Sequence, residues 1–321
     1  MASAIAVLEP GYADYQIEES ILSEHALKVV PIGPEQDAAS ALKTINPLGV
    51  MVRERAVTSG LMDICPDLKI IVRYGVGVDN IDIDAATKRG IYIANIPDYG
   101  AENEVSEHAV ALYLAVQRRI PCRDQEVRNG KWGIGQAALI PSRENAVLGL
   151  VGCGRIGLAT ARRFQALGFE RVLAFDPFLS KETADAAQIE LTDLNNLCRL
   201  SDVVSVHAPL TSQTRHILNA GLFSQMKPTT IVVNVSRGGL IDEMALAEAL
   251  HKGLIFGAGI DVFEQEPVRQ DHPLLSTPNT VLTDHTAWYS ERSVGVLQRN
   301  AATEISRVLT GKEPKNWVNR W

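Results

Sequence analysis

Cysteine is scarce in this chain. Four thiols, Cys65, Cys122, Cys153 and Cys198, are scattered over 321 residues with no C-x-x-C pair and no histidine at ligand spacing. That pattern argues against a disulfide framework and a zinc site, so no metal is expected, and it fits reduced thiols in the cytoplasm. No apolar run approaches the roughly 20 residues that cross a bilayer, and Met1 to Pro10 reads as a short apolar strand without a basic leader or cleavage pattern. Basic clusters are also missing: 31 Lys and Arg face 38 Asp and Glu, for a net charge of −7. Nucleic acid and membrane surfaces are therefore not expected partners. Internal repeats and low-complexity segments are absent as well. What remains is a cytoplasmic globular protein, 46% apolar and long enough for two domains, whose partners are small molecules and a second copy of itself.

The positive signal is concentrated between Val147 and Asp176. A strand (Ala146 to Val151) runs into a glycine turn (Gly152, Gly154, Gly157), then a helix to about Leu167, a stop at Gly168, and a second strand (Arg171 to Phe175) ending on Asp176. In such a βαβ opening the first glycine turns the chain out of the strand and the second lets a pyrophosphate reach the backbone. The third allows helix and strand to pack closely. The helix start then holds the anion, and Arg155 and Ile156 join the glycines as expected cofactor contacts. Asp176, about 20 residues beyond the glycines, can accept both ribose hydroxyls and repel a 2′-phosphate, so NAD is favoured over NADP.

Elsewhere short strands alternate with helices, the pattern of parallel sheets covered on both faces. Strands are expected at Ala4 to Leu8, Ala26 to Pro31, Gly49 to Val52, Lys69 to Tyr74 and Ile91 to Asn95, and after Asp176 at Asp202 to His207, Thr230 to Val235, Phe256 to Val262 and Val281 to Thr283. Glu104 to Arg119 reads as a long helix, N-capped by Asn103 and stopped by Pro121. Cys122 to Asn145 reads as an irregular segment, Gly135 included, that packs against a second subunit. Helices are expected at Glu243 to His251 and Ser290 to Leu309. Polar residues gather at the strand tips, where open α/β sheets bind ligands; His207, Pro209, Thr214, Val235, Ser236 and Asp261 are expected to contact the cofactor there.

Three residues suit hydride chemistry on an alcohol: Arg237 in N-V-S-R-G-G, Glu266 in D-V-F-E-Q-E-P and His285 in T-D-H-T-A-W. A histidine titrating near neutrality can take the hydroxyl proton, a carboxylate can orient it, and an arginine can grip the substrate carboxylate and polarise its carbonyl. Each has an ordinary alternative as a solvated or backbone-bonded side chain.

Together these motifs, in this order, resemble the D-isomer-specific 2-hydroxyacid dehydrogenases, which the chain matches from about Val72 onward. The resemblance implies two Rossmann/flavodoxin-like doubly wound parallel-sheet domains with the cofactor cleft between them. A discontinuous substrate domain, 1–98 and 289–321, would surround an NAD-binding domain, 99–288, with closure near Tyr99 and Tyr289. It also implies a homodimer and Arg237, Glu266 and His285 as the catalytic trio. The runs Arg73 to Asp82 and His285 to Glu291 resemble more closely the C-terminal-binding protein branch, which adds transcriptional corepression. By that likeness the backbone of Gly75, Val76 and Gly77 binds the substrate carboxylate, and Arg73 and Trp288 reach the substrate. Asp284 departs from the proline common at its place, setting an extra acid beside the base. The implied activity is interconversion of a 2-hydroxy acid and its 2-oxo acid. Its rivals are an NADH-responsive binding scaffold and a dehydrogenase of another small anion such as phosphite.

Overall fold

Runs such as Ile-Ala-Val-Leu and Ile-Val-Val-Asn are apolar on both faces, so each must be covered on both sides, and the intervening helices supply the cover. The computed structural model describes residues 3–8, 11–133 and 140–321. The expected strand Ala4 to Leu8 is present, whereas Met1, Ala2, Glu9, Pro10 and residues 134–139, Gly135 among them, lie outside the described residues. The chain divides into two units, residues 1–100 with 290–321 and residues 101–289.

The first unit holds β1 (Ser3–Leu8), β2 (Leu27–Ile32), β3 (Gly49–Val52), β4 (Ile70–Arg73) and β5 (Tyr92–Ala94) in the order β2-β1-β3-β4-β5, all parallel. Ile5, Ala6, Val7 and Leu8 are sealed inside it. The C-terminal helix Glu291–Leu309 returns to this unit and buries Leu297, Ala301 and Ile305. Ser290 caps that helix by accepting from Ser293 N at 3.0 Å, the hydroxyl satisfying one of the N–H groups that a helix start leaves open.

The second unit holds β6 (Val147–Val151), β7 (Arg171–Phe175), β8 (Ile189–Leu191), β9 (Val203–Val206), β10 (Ile231–Asn234), β11 (Gly257–Ile260) and β12 (Thr280–Leu282). Their order is β12-β11-β10-β9-β6-β7-β8, all parallel. The chain works outward from β6 to β8, then returns to β9 on the other side of β6. The strand order reverses between β6 and β9, which is where a doubly wound sheet opens a crevice at its carboxyl edge.

Two sequence expectations need correction. Asn103 is not an N-cap; it lies within a helix that already starts at Ala101 and runs to Gln117. The segment expected to be irregular from Cys122 to Asn145 begins in a helix, Ile120–Arg128, with Pro121 in its first turn. A proline there gives up only an N–H that would have no helical partner anyway; the break falls instead at Arg119, whose φ is +56°. Helices Ser59–Asp63, Lys181–Ala186, Leu194–Leu200 and Ala220–Phe223 were not anticipated, because two turns or fewer are too short to display a helical period.

Candidate active site

The glycine turn at the tip of β6 can be tested atom by atom. Gly152 has φ +86°, and a Cβ there would lie 2.5 Å from Ala208 N. The β6 and β9 tips therefore touch only because this residue has no side chain. At Gly157 a Cβ would meet Gly152 O at 2.7 Å, whereas at Gly154 it would meet nothing within 4 Å. One position is closed by helix–strand packing, and the other is open over its backbone. No side chain caps helix Arg155–Ala166, so its positive end and first N–H groups suit an anion. Asp176 accepts from Cys153 N at 2.7 Å and from Phe178 N at 2.8 Å, which fixes its carboxylate beside the turn. These residues fit a dinucleotide: open backbone for the pyrophosphate, acid for the ribose.

Across the reversal, His207 N donates to Val151 O at 2.7 Å, and its Nε2 shares a hydrogen bond with Ser205 Oγ at 2.8 Å. Its Nδ1 is buried without a hydrogen-bond partner. Burial pushes the imidazole down to about 3, so it is neutral at physiological pH. Thr214 is turned back on its own loop, donating to Pro209 O at 2.7 Å. Val235 is buried, and Ser236 Oγ donates to Ala208 O at 2.7 Å, tying the β9 and β10 tips together.

The three expected chemical residues come from three strand tips. Beyond β10, Asn234 Nδ2 donates to Arg237 O at 2.8 Å, and Arg237 Nη1 donates to Ser236 O at 2.8 Å. The next residue, Gly238, presses on the loop after β11: a Cβ there would lie 1.9 Å from Phe263 C. That approach puts the Arg237 turn against the segment leading to Glu266. Glu266 Oε1 accepts from Phe263 N at 2.9 Å, and its Oε2 lies 2.7 Å from His285 Nδ1. Burial alone would raise the Glu266 carboxyl, but the hydrogen bond and charge of His285, the Phe263 N–H and the charge of Arg237 outweigh it and hold it below the usual carboxylate range. Glu266 is thus ionised and can only accept from Nδ1, which leaves Nε2 of His285 for other chemistry. His285 itself has φ +57°, in a region unfavourable to a residue with a Cβ. Asp284 is exposed.

In the first unit, Arg73 ends β4 and is buried. Its Nη2 lies 2.7 Å from Glu54 Oε1, and its Nε donates to Arg53 O at 3.1 Å. The guanidinium covers Gly75, whose O accepts from Ile96 N at 2.8 Å, while Val76 O accepts from Asn95 Nδ2 at 2.6 Å. The pairing of Arg73 with Glu54 was not foreseen from the sequence. In the second unit, Trp288 Nε1 donates to His285 O at 2.8 Å, bracing the histidine's turn.

Residues 110–287 match the family model described as D-isomer specific 2-hydroxyacid dehydrogenase, NAD binding domain. The chain belongs to that family. It is 41% identical over 271 residues to the D-3-phosphoglycerate dehydrogenase of Archaeoglobus fulgidus, covering 84% of this chain and 51% of the relative. It is 39% identical to the glyoxylate reductase of Korarchaeum cryptofilum, covering 82% of this chain and 80% of the relative. The chain thus spans about half the length of the phosphoglycerate dehydrogenase it matches. The D-lactate dehydrogenase of Aquifex aeolicus, solved with NAD and lactic acid, superposes with a TM-score of 0.87 at 26% identity, covering 99% of each chain. Membership of the 2-hydroxyacid dehydrogenases carries with it an NAD-binding domain, in which the glycine turn and Asp176 lie.

Sequence reasoning placed the dehydrogenase motifs but missed what holds them. Asp261, expected at the cofactor, is fully buried, with its carboxylate directed into the histidine's turn. Thr283 and His108 join that turn. Thr283 was within reach of inspection, being two residues from His285; His108 lies on a helix 175 residues earlier than Thr283, and no spacing rule connects them.

Proposed function

We propose that the protein interconverts a D-2-hydroxy acid and its 2-oxo acid with NAD, and that His285, Glu266 and Arg237 form its catalytic trio. The observation that carries this reading is the 2.7 Å bond from His285 Nδ1 to an ionised Glu266, whose loop packs at Phe263 against Gly238, the residue after Arg237. When bound, the nicotinamide supplies or takes the hydride at the substrate C2. In the reductive direction, protonated His285 delivers its Nε2 proton to the oxygen that was the carbonyl, completing the alcohol. Glu266 fixes the imidazole tautomer and its orientation. Arg237 binds the carboxylate of the acid and polarises its carbonyl.

The remaining assignments extend the same reading. Gly152, Gly154, Arg155, Ile156, Gly157, Asp176, His207, Pro209, Thr214, Val235, Ser236 and Asp261 serve the cofactor, directly or by shaping the strand tips. Gly75, Val76, Gly77 and Arg73, in a substrate domain of residues 1–98 and 289–321, together with Trp288, serve the acid. A homodimer is supported by helix Ile120–Arg128, which buries none of its residues and exposes Ile120 and Val127, and by Trp132 beyond it.

The test is NADH consumption against glyoxylate, pyruvate, hydroxypyruvate, phenylpyruvate, a thioether-bearing 2-oxo acid and a phosphorylated 2-oxo acid, with NADPH in parallel. Rapid turnover of any of them, with NADH preferred, supports the reading and names the tail. Tight NADH binding without turnover overturns it in favour of the corepressor-like scaffold suggested by the run His285 to Glu291.

A further inference from the structure

Asp261 immediately follows β11 and is wholly withdrawn from solvent. A buried carboxylate persists only where donors surround it, and here Thr283, Thr286 and Ala287, all on the segment that carries His285, supply them. Oδ1 accepts from Thr283 Oγ1 at 2.6 Å and from Thr286 N at 3.0 Å; Oδ2 accepts from Ala287 N at 3.0 Å. The main-chain oxygen of the same residue accepts from His285 N at 2.7 Å. One residue therefore holds three successive N–H groups, those of 285, 286 and 287, on either side of the unfavourable φ of His285. Such a conformation persists where its surroundings over-determine it. The partner of His285 hangs from the same strand tip, since Glu266 Oε1 is held by Phe263 N.

One more group reaches this network from elsewhere in the unit. His108, on helix Ala101–Gln117, places Nε2 at 3.0 Å from Thr283 Oγ1 and 3.5 Å from Asp261 Oδ1. The proton directions follow from chemistry. The Thr283 hydroxyl donates to Asp261; the threonine oxygen is then left as an acceptor, and His108 Nε2 must carry a proton to meet it. The order is His108 to Thr283 to Asp261, and from Asp261 to the backbone of the histidine's turn.

We propose that Thr283 and His108 are positioning residues: acting through Asp261, they lock the turn so that His285 meets Glu266 and its Nε2 is aimed for proton transfer. The inference rests on the acid/base reading of His285, and neither residue touches the reacting atoms. A displacement of about 1 Å in a reacting group can cost ~100-fold in rate, so the loss should fall on kcat.

The test compares Thr283→Val with Thr283→Ser, and His108→Phe with His108→Gln, whose amide can still donate. Each is read by kcat, by KM for the best 2-oxo acid, by NADH affinity and by the downfield imidazole N–H resonance of His285 bonded to Glu266. Expected are a ~10- to 100-fold fall in kcat for Thr283→Val, a smaller fall for His108→Phe, near-normal KM and NADH affinity, and recovery in Thr283→Ser and His108→Gln. The N–H resonance should broaden or shift in the first member of each pair and return in the second. An unchanged kcat and resonance in Thr283→Val and His108→Phe would overturn the proposal. So would a loss confined to NADH affinity, or one that serine and glutamine fail to restore. If Thr283→Val does not fold, the partly exposed His108 pair decides alone. If the wild-type protein reduces no 2-oxo acid, the acid/base reading fails, and the resonance alone still reports whether the turn depends on Thr283 and His108.

Discussion

At the scale of single residues, charge and protonation are decided by which neighbours a strand tip supplies. Arg237 lies close enough to lower the Glu266 carboxyl. Replacing it with alanine is expected to lower kcat/KM by roughly 10³-fold, as for loss of a donor to a developing oxyanion, while NADH affinity measured by fluorescence stays within a small factor. His207 gives a prediction of a different kind. Burial holds the folded imidazole at about 3 against its ordinary 6.5, so between those pH values the unfolded chain takes a proton that the folded chain refuses. Stability is therefore lost as pH falls below 6.5, by roughly 3 kcal/mol near pH 4. His207→Gln should remove most of that acid-side slope in urea unfolding measured at several pH values, and an unaltered slope would show that another group is responsible.

At the scale of the element, the glycine turn separates packing from binding. Gly154 has ordinary backbone angles, φ −73° and ψ −160°, and open space where a Cβ would go. Gly154→Val is expected to leave the melting temperature within a few degrees yet weaken NADH by ~10-fold or more, because the side chain fills the approach of the pyrophosphate. Gly157→Val should do the reverse first: its Cβ collides with Gly152 O, an overpacking worth about 1–3 kcal/mol, visible as a lowered melting temperature without cofactor present. Helix Ile120–Arg128 shows why local reading failed nearby. Proline was taken as a terminator, but a terminator and a first-turn residue are the same letter, and only the backbone at Arg119 distinguishes them.

At the scale of the whole molecule, apolar side chains left outside a core need a cover. Ile120 is 53% exposed, Val127 55% and Trp132 92%, the last two within the segment expected to pack against a second subunit and the first just before it. Sedimentation at twice the 35.0 kDa chain mass is expected, and Ile120→Asp with Val127→Asp should shift it to the monomer with the fold intact, because neither residue is part of a core. A monomeric wild-type protein would leave that surface to another partner.

The sequence by itself determined every described strand but the short Ile189–Leu191, together with the glycine turn and its terminal acid, and it nominated the chemical residues. These are recorded locally: apolar runs bounded by turn residues, glycines at fixed offsets, and motifs of six or seven residues. It carried Gly49–Val52, Arg171–Phe175 and Glu243–His251 to their last residue, since each is bounded by a clear stop. Tertiary structure alone decided the order of the strands in each sheet, the closure of Arg73 on Glu54, and the burial of Asp261 beneath the histidine's turn. Those are contacts between segments far apart in the chain. A hydrogen bond such as that between His108 and Thr283 leaves no period or spacing in the sequence, because its geometry is set by how helix and sheet pack.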